Sequence, residues 1–367
     1  MNRPVLRTVL AFLLLPLGAA AVAAENTTFV GLLRARDLSP FGFLRLDMRP
    51  AHAVQSEIGG WAVETELAYQ NTWALSREVE RYLTDLEPRR ELGPVELQAI
   101  RDLPGENYLL DVELAEVDMT FHYKFSRRWG TYLTLSAVKY GGGFLDSSIE
   151  GFHDTFGFST FGRDGAARND ANVIFDLKSS QVAIFESPTR GGLLDPTIGV
   201  RYSGAEPFTG WNLVAEAAVK IPVQGQRALL STGDVDAGVQ ATLQRFGRNH
   251  AYYFSFAGVY YDGRNSITPT PAQIVPTLVM AYERRVGERT NMILQAYVSP
   301  SIYTREETEL DELLATKYQL SLGVYHRWGQ SLLSFGITEN LQNFSNTPDI
   351  GLQLGWAFGS ALRGTKR

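Results

Sequence analysis

The densest group of chemically capable side chains is Glu150-Gly151-Phe152-His153-Asp154. Glu150 and His153 are three apart, so a short helix would set them on one face. That spacing suits a carboxylate–imidazole metal pair, but bundles that hold two metals take such pairs from several helices, and the chain has 5 histidines and no cysteine. The same spacing suits a general acid–base pair. It also suits a loop helix with no chemistry, packing Phe152 and Phe156 over the barrel mouth while Glu150 and His153 hydrogen-bond nearby backbone. This last reading is preferred, and no metal or cofactor is expected. A lipid hydrolase is a further alternative. It would bring a serine, a histidine and a polar orienter together, and His122 and Ser136 fall on facing strands in the pattern below. Both side chains point inward rather than to lipid, and no Gly-x-Ser-x-Gly turn occurs. No catalytic residues are assigned.

The elements that would carry these groups announce themselves by alternation, which in a strand separates two faces. In residues 59–73, GGWAVETELAYQNTW, one face takes Trp61, Val63, Leu67, Tyr69 and Trp73, and the other takes Glu64 and Glu66. Residues 115–125 set Val117, Met119 and Phe121 against Glu116, Asp118, His122 and Lys124. Residues 211–221 set Trp211, Leu213 and Val219 against Glu216 and Lys220. Asp236 lies on the polar face of 235–243, and the last pattern, IGLQLGWAF, alternates Leu352, Leu354, Trp356 and Phe358 with small and polar residues. Weaker alternation near 129–140, 195–203, 250–262, 275–286, 290–303, 316–328 and 331–340 makes twelve strands, with ten or fourteen as alternatives. Tight connections at 126–129, 203–210, 246–249, 286–289 and 328–331 exchange with long ones at 77–108, 141–194, 222–234, 263–274, 304–315 and 341–347. Short turns at one end and long loops at the other describe an outer-membrane barrel.

The expected fold is therefore all-β: a transmembrane, antiparallel, up-and-down barrel over residues 59–358, with short periplasmic turns and long extracellular loops. Strands of about 9–11 residues suffice to cross. Trp61, Leu67 and Trp73 would face lipid, and Glu64 and Glu66 a polar lumen. Trp61, Trp129, Trp211, Trp328 and Trp356, with Phe358, fall on the apolar face beside the short turns, as an interfacial aromatic girdle does. The 304–316 stretch carries a capping box from Thr304 to Glu307, predicting a short helix on a loop. The 77–107 stretch, broken by three prolines, reads as a solvated loop with short helical turns.

Residues 1–24 read as a signal peptide: Arg3 and Arg7, an apolar core from Val9 to Leu17, then Ala21-Val22-Ala23 before the cleavage point. Residues 25–58 form an N-terminal periplasmic segment and 359–367 a short periplasmic tail. The net charge of −6, more negative once Arg3 and Arg7 are removed, argues against nucleic acid as a partner. The expected partners are outer-membrane lipid and lipopolysaccharide, periplasmic chaperones and the barrel-assembly machinery, and an unidentified small solute.

Two stretches, YGGGFLDSSIEGFHDTFGFSTFGR at 140–163 and RDLSPFGFL at 36–44, resemble a family of bacterial outer-membrane β-barrels, the domain-of-unknown-function family numbered 3187. LLDPTIGVRY (193–202) and KIPVQG (220–225) are weaker matches: Leu194-Asp195 stands for Gly-Asp, and the latter departs from the commoner Pro-Thr-Gly form. The resemblance implies a barrel of the outer membrane and carries no activity.

Function then rests on the interior. Glu64, Glu66, Glu116 and Asp118 make one wall acidic, while Arg201, Lys220, Arg285 and Arg327 project inward elsewhere; His122, Lys124, Glu216, Asp236 and Glu283 are further candidates for the lining. Opposed charged walls can tune passage of a small solute, polar or amphipathic, through a channel or transporter, or they can pair and seal a narrow lumen, leaving a structural barrel or one whose long charged loops serve surface interaction. Arg34, Arg36, Arg45 and Arg49 precede the first strand. They would meet the acidic wall if residues 25–58 fold into the barrel as a plug, an arrangement resembling the outer-membrane fatty-acid transporters. A mobile periplasmic tail is the alternative.

Overall fold

The structure, a computed structural model, describes residues 29–35, 42, 44–49, 58–177, 182–186, 191–225, 229–261, 273–342 and 346–359. The expected signal peptide and most of the C-terminal tail fall outside them. Strands run β1 (Trp61–Leu75), β2 (Asn107–Lys124), β3 (Trp129–Gly141), β4 (Asn172–Leu177), β5 (Val182–Glu186), β6 (Gly191–Leu193), β7 (Thr197–Phe208) and β8 (Trp211–Lys220). They continue β9 (Asp236–Phe246), β10 (His250–Tyr261), β11 (Gln273–Arg285), β12 (Thr290–Ser299), β13 (Lys317–Trp328), β14 (Ser331–Gln342) and β15 (Ile350–Gly359). The helices are α1 (Arg77–Thr84), α2 (Pro94–Asp102), α3 (Asp146–Phe156) and α4 (Asp311–Leu314).

All these strands form one antiparallel sheet, and twelve of them close into a barrel. β15 returns to β1, from Ala62 opposite Gly359 to Asn71 opposite Ile350. Among the described residues no helix is long and apolar enough to cross a membrane, so crossing falls to the strands. Closure is what permits it, because an open sheet edge cannot be satisfied in hydrocarbon. The register carries the alternation around the ring without a break. Glu66 lies opposite Asp118, and Asp118 opposite Ser136. Arg201 faces Glu216, and Lys220 faces Asp236. Odd positions of β1 and β2, and their counterparts elsewhere, are the exposed ones: Leu67, Val117, Leu135, Val239, Phe256, Leu322 and Leu354. The tight turns and long loops segregate to opposite ends, as the sequence predicts.

Four local departures have physical causes. Trp73 does not face lipid: it is 4% exposed, its Nε1 donates to the Phe161 carbonyl at 2.9 Å, and it packs with Leu75, Val79, Leu83 and Leu109. β1 and β2 rise above the bilayer band, where α1, α2 and the 161–166 turn cover their outer face. Alternation assigns a side chain to a face but not what covers that face. The 141–194 stretch is not a plain loop, since β4 pairs with β2 from Asn107–Asp176 to Asp111–Asn172 and β5 pairs with β4. β2 outruns β3, and the hairpin occupies the edge thus left open. β7 runs on through bulges after Ser203 and Ala205 to Phe208, where 203–210 is predicted as the connection, so the turn itself is shorter than expected; Gly204, at φ +93, supplies the backbone that a bulge needs. The Thr304–Glu307 pair forms, with Glu307 Oε2 accepting from the Thr304 amide at 2.8 Å and hydroxyl at 2.9 Å. It closes a turn, and the helix begins later, at Asp311.

Arg163 holds the long-loop end together. Its guanidinium donates to Asp146 at 3.0 Å and Asn71 at 2.9 Å, also bonds Asp349, and lies 4.8 Å from the Trp73 ring centre. It therefore joins α3, β1 and the β14–β15 loop. Arg163→Met would strip Asp146 of its cation in a buried site, a loss of roughly 3–5 kcal/mol. We expect faster protease cleavage between residues 142 and 171, while the barrel keeps its heat-dependent gel mobility; a cleavage rate equal to wild type would refute the clamp.

Candidate functional site: the barrel interior

The barrel interior is polar and charged because every inward position is cut off from the lipid by the strand pleat and from bulk water by the wall. A charge placed there must be paired or hydrogen-bonded. Glu64, Glu66, Glu116 and Asp118 are all buried on β1 and β2. Glu64 and Glu66 are two apart on one strand, and Asp118 lies directly across from Glu66. Like charges this close demand cations.

Those cations come from residues 29–35 and 44–49, whose side chains reach the inner wall of the barrel. Arg34 Nε is 3.3 Å from Glu64 Oε2 and 4.0 Å from Glu66 Oε2. Arg49 donates to Glu66 Oε2 at 2.9 Å and also pairs with Asp118. Arg34, Arg45 and Arg49 are all buried. Backbone groups of the same segment satisfy the remaining inward groups. Near the short-turn end, Glu283 accepts from the Val30 and Gly31 amides at 3.0 and 3.1 Å, from Tyr253 at 2.5 Å and from Asn291 at 2.6 Å. At the long-loop end, Asp236 accepts from the Leu46 amide at 2.8 Å, and Lys220 donates to the Leu44 carbonyl at 2.9 Å. The segment is also apolar where it passes the small-residue wall. Phe29, Val30, Leu32 and Leu33 pack with Tyr253, Val279, Ile293 and Tyr325.

The cations expected on the other walls are paired locally rather than aimed across the lumen. Arg201 pairs with Glu216, and Lys220 with Asp236 at 2.9 Å. His122 Nε2 is 3.2 Å from Glu64 Oε2. Lys124, Arg285 and Arg327 occupy inward positions at the short-turn rim, half-buried, with Arg285 donating to Asn249 at 2.9 Å. Among the described residues a cavity of about 30 Å³ is bounded by Arg34, Arg45, Arg49, Tyr132, Glu216 and Lys220. That holds one or two waters.

The other sequence-level constellations are not assembled into chemistry. Glu150 is buried on α3 and bonds Arg89 at 2.8 Å and Arg168 at 2.5 Å, not backbone. His153 shares its Nδ1 contact with the Ser159 carbonyl at 2.8 Å, and Asp154 points to solvent. Among the described residues no group of three His, Asp or Glu side chains is placed to hold a metal ion, and the Glu150 carboxylate is engaged by the two arginines. Ser136 donates to Asp118 and His122 meets Glu64, so the two residues weighed for a hydrolase have separate partners. At Trp61, Trp129, Trp328, Trp356 and Phe358 the rings are exposed beside the short turns, with Trp211 half-buried at the same level. Trp61 packs on Tyr123 at 4.5 Å and Trp129 on Tyr202 at 5.0 Å.

Comparison with known proteins adds to this geometry. Residues 104–360 match the profile of a family described as a protein of unknown function, DUF3187. The chain belongs to this family. No curated protein matches the sequence. Among solved structures, an outer-membrane channel from Pseudomonas putida F1 superposes with a TM-score of 0.52 at 10% identity, covering 85% of this chain and 100% of that one. Its likeness shows the shared barrel fold. The porin NanC (TM-score 0.40, 6% identity, 67% and 93% covered) and the Pseudomonas putida toluene transporter TodX (0.40, 8%, 83% and 90%) are looser matches.

Alternation marked the inward acids; it did not mark their partners. One signal was present, in glycines at inward strand positions, which indicate close approach of another chain segment. A Cβ at Gly323 would meet Leu33 at 2.7 Å, and one at Gly238 would meet Met48 at 2.8 Å.

Two predictions follow from the site and its surroundings. Arg49→Met leaves Glu66 and Asp118 facing each other without their shared cation, at a cost of roughly 3–5 kcal/mol. Residues 29–49 should then become protease-sensitive in the folded barrel. Adding Glu66→Gln and Asp118→Asn should restore protection, and a triple variant as sensitive as the single one would refute the ion-pair account. For Glu150, burial raises the carboxyl, but the hydrogen bonds from Arg168 and Arg89 outweigh it and hold the group below its ordinary value. Its tether on α3 is thus fully present above the unfolded glutamate value of about 4.3 and is lost as pH falls through the lower folded value. Proteolysis of the α3 loop, followed by an acid-active protease, should be flat from neutrality to that point and rise below it. A rise already near pH 6 would contradict it.

Proposed function

We propose that the protein is an outer-membrane channel whose lumen is closed at rest by residues 29–49 and passes a small polar or amphipathic solute when that segment withdraws. The observation that carries this reading is the pairing of Arg34 and Arg49 with Glu64, Glu66 and Asp118 deep in the barrel. The interior walls carry the polar, ionisable lining of a pathway, and among the described residues it is the segment preceding β1 that fills it. A purely structural barrel would need neither an acidic wall nor a separate strand of arginines to neutralise it. The shared fold with an outer-membrane channel supports the same reading.

In this account residues 1–24 direct export and are cleaved, chaperones and the barrel-assembly machinery insert the chain, and the tryptophans beside the short turns sit at the periplasmic interface. Residues 25–58 then enter from the periplasm, the side on which β1 begins. Outer-membrane lipid and lipopolysaccharide surround the barrel. The role is transport rather than catalysis. Withdrawal of the arginines would leave Glu64, Glu66, Glu116 and Asp118 facing an aqueous lumen, and a ring of carboxylates selects cations.

The test is single-channel current in planar bilayers. The full mature chain should be silent or open rarely, while deletion of residues 25–58 should give steady ohmic steps with cation selectivity. Glu64→Gln combined with Glu66→Gln in the deleted form should reduce that selectivity. Silence of both forms would favour the sealed structural barrel, and equal conductance of both would reject the closing role of the segment.

A further inference from the structure

α3 starts against the outer wall of the barrel. Its N-terminal residue Asp146 accepts from Asn71 at 3.3 Å, and the amides of Phe144 and Leu145 donate to Glu113 at 2.9 and 2.7 Å. Asn71 and Glu113 stand at outward positions of β1 and β2, in the same rows as the lipid-facing Leu67 and Val117. The Phe144 ring stacks on Tyr69 at 4.9 Å, one step along the strand from Leu67. The helix therefore begins where the apolar surface of the barrel ends.

Its two flanks differ in character. One bears Glu150, held by Arg89 and Arg168, and Arg89 belongs to the α1–α2 connection of the long-loop cap. That flank faces the cap. The other bears Phe152 and Phe156, which are 53% and 62% exposed and join Phe158 in a cluster with ring separations of 4.6, 5.9 and 6.3 Å. This cluster has no ring partner among the described residues beyond His153, and Phe144, 65% exposed before the start of the same helix, stacks on Tyr69. Phenyl rings left in water on the cap forgo the transfer free energy that burial of a large apolar side chain supplies.

We infer that α3 is an interfacial anchor: it lies along the outer wall at the extracellular boundary and dips Phe144, Phe152, Phe156 and Phe158 among the acyl chains of the outer leaflet. The occupant is lipid because the helix starts at the edge of the surface the barrel gives to hydrocarbon, where Phe144 stacks on the outward Tyr69. The phenylalanines lie on the flank opposite the Arg-bound Glu150. An amphipathic helix with aromatic residues on one side and charge on the other is the form that interfacial helices take. The anchor would also fix the 141–171 excursion that Arg163 ties to β1, so membrane contact and the cap over the barrel mouth are mechanically joined. This inference rests on the reading that the barrel spans a membrane.

The absence of cysteine makes site-directed spin labelling direct. Nitroxides would be placed by Phe156→Cys and, as a second position, Phe152→Cys in the full mature chain, reconstituted in phosphatidylethanolamine–phosphatidylglycerol vesicles. Asp154→Cys and Ser147→Cys, on exposed polar positions of the same helix, serve as water references, and Val239→Cys on the barrel wall as the lipid reference. Retained heat-dependent gel mobility reports that each variant has folded. Collisions with oxygen should exceed those with a water-soluble nickel chelate several-fold at 156, 152 and 239, and the order should reverse at 154 and 147. Nickel-accessible labels at 156 and 152 with a lipid-like 239 would overturn the anchor while leaving the membrane-spanning barrel intact. Spin–spin broadening at 156 that grows with protein density would assign the patch to a second copy instead. A label at 239 in water would reject the spanning barrel, and the anchor with it.

Discussion

Hydrogen bonding of the backbone governs everything else in this molecule. In hydrocarbon no water can satisfy a free amide or carbonyl, so each strand must find a neighbour on both sides. The pairing of β1 with β15 completes that requirement and thereby fixes the number of strands, the register and the two-sidedness of every residue in the wall. Once the ring closes at twelve strands, the interior is too wide to be filled by wall side chains alone and too enclosed for its ionisable groups to be served freely by water. The character of the lumen follows from that geometry.

Residues 29–35 and 44–49 act within this setting as a solvent substitute. Their amides and arginines take the places that water and counterions would occupy around Glu64, Glu66, Asp118, Asp236 and Glu283. The arrangement is polarised along the pore: backbone amides on Glu283 near the short-turn end, guanidinium groups on the acidic wall at mid-depth, and the Leu44–Leu46 backbone on Lys220 and Asp236 near the loops. Because each interaction replaces a hydrated one, the net stabilisation per contact is small compared with the penalty of breaking one partner alone. Such a segment can be firmly seated and still be exchanged for water and ions once it leaves. That property separates a closing element from a structural core.

At the other end of the barrel, unequal strand lengths create a second problem and its solution. β2 overreaches β3, so its upper edge is taken by the β4–β5 hairpin, and the outer faces of β1 and β2 above the bilayer are covered by α1, α2 and the turn around Arg163. This covering is a small globular cap built on two overlong strands. Its apolar cluster includes Trp73, and its charges include Asp146 and Glu150, each held by arginine. The cap grows outward onto the wall through α3, where aromatic side chains replace charged ones.

How much of this was legible depends on the range of each interaction. A period of two residues is a local property, so the sequence by itself determined the strands, their faces, the inward acids Glu64, Glu66, Glu116 and Asp118, the lipid-facing rows, and the exchange of short turns with long loops. Family membership was legible from the run at 140–163. Strand pairing beyond hairpins, burial and ion partners depend on residues distant in the chain, and only the tertiary structure decided them. Trp73 has the pattern of a lipid-facing residue and is buried because a loop some ninety residues later in the chain covers it. Glu150 and His153 have the spacing of a ligand pair, but Arg89 and Arg168 claim the glutamate. The cations for the acidic wall come from a segment with no periodicity of its own, and its path is set by where wall glycines leave room. Hydrophobic periodicity specifies which side of a sheet faces inward, and closure alone specifies what meets there.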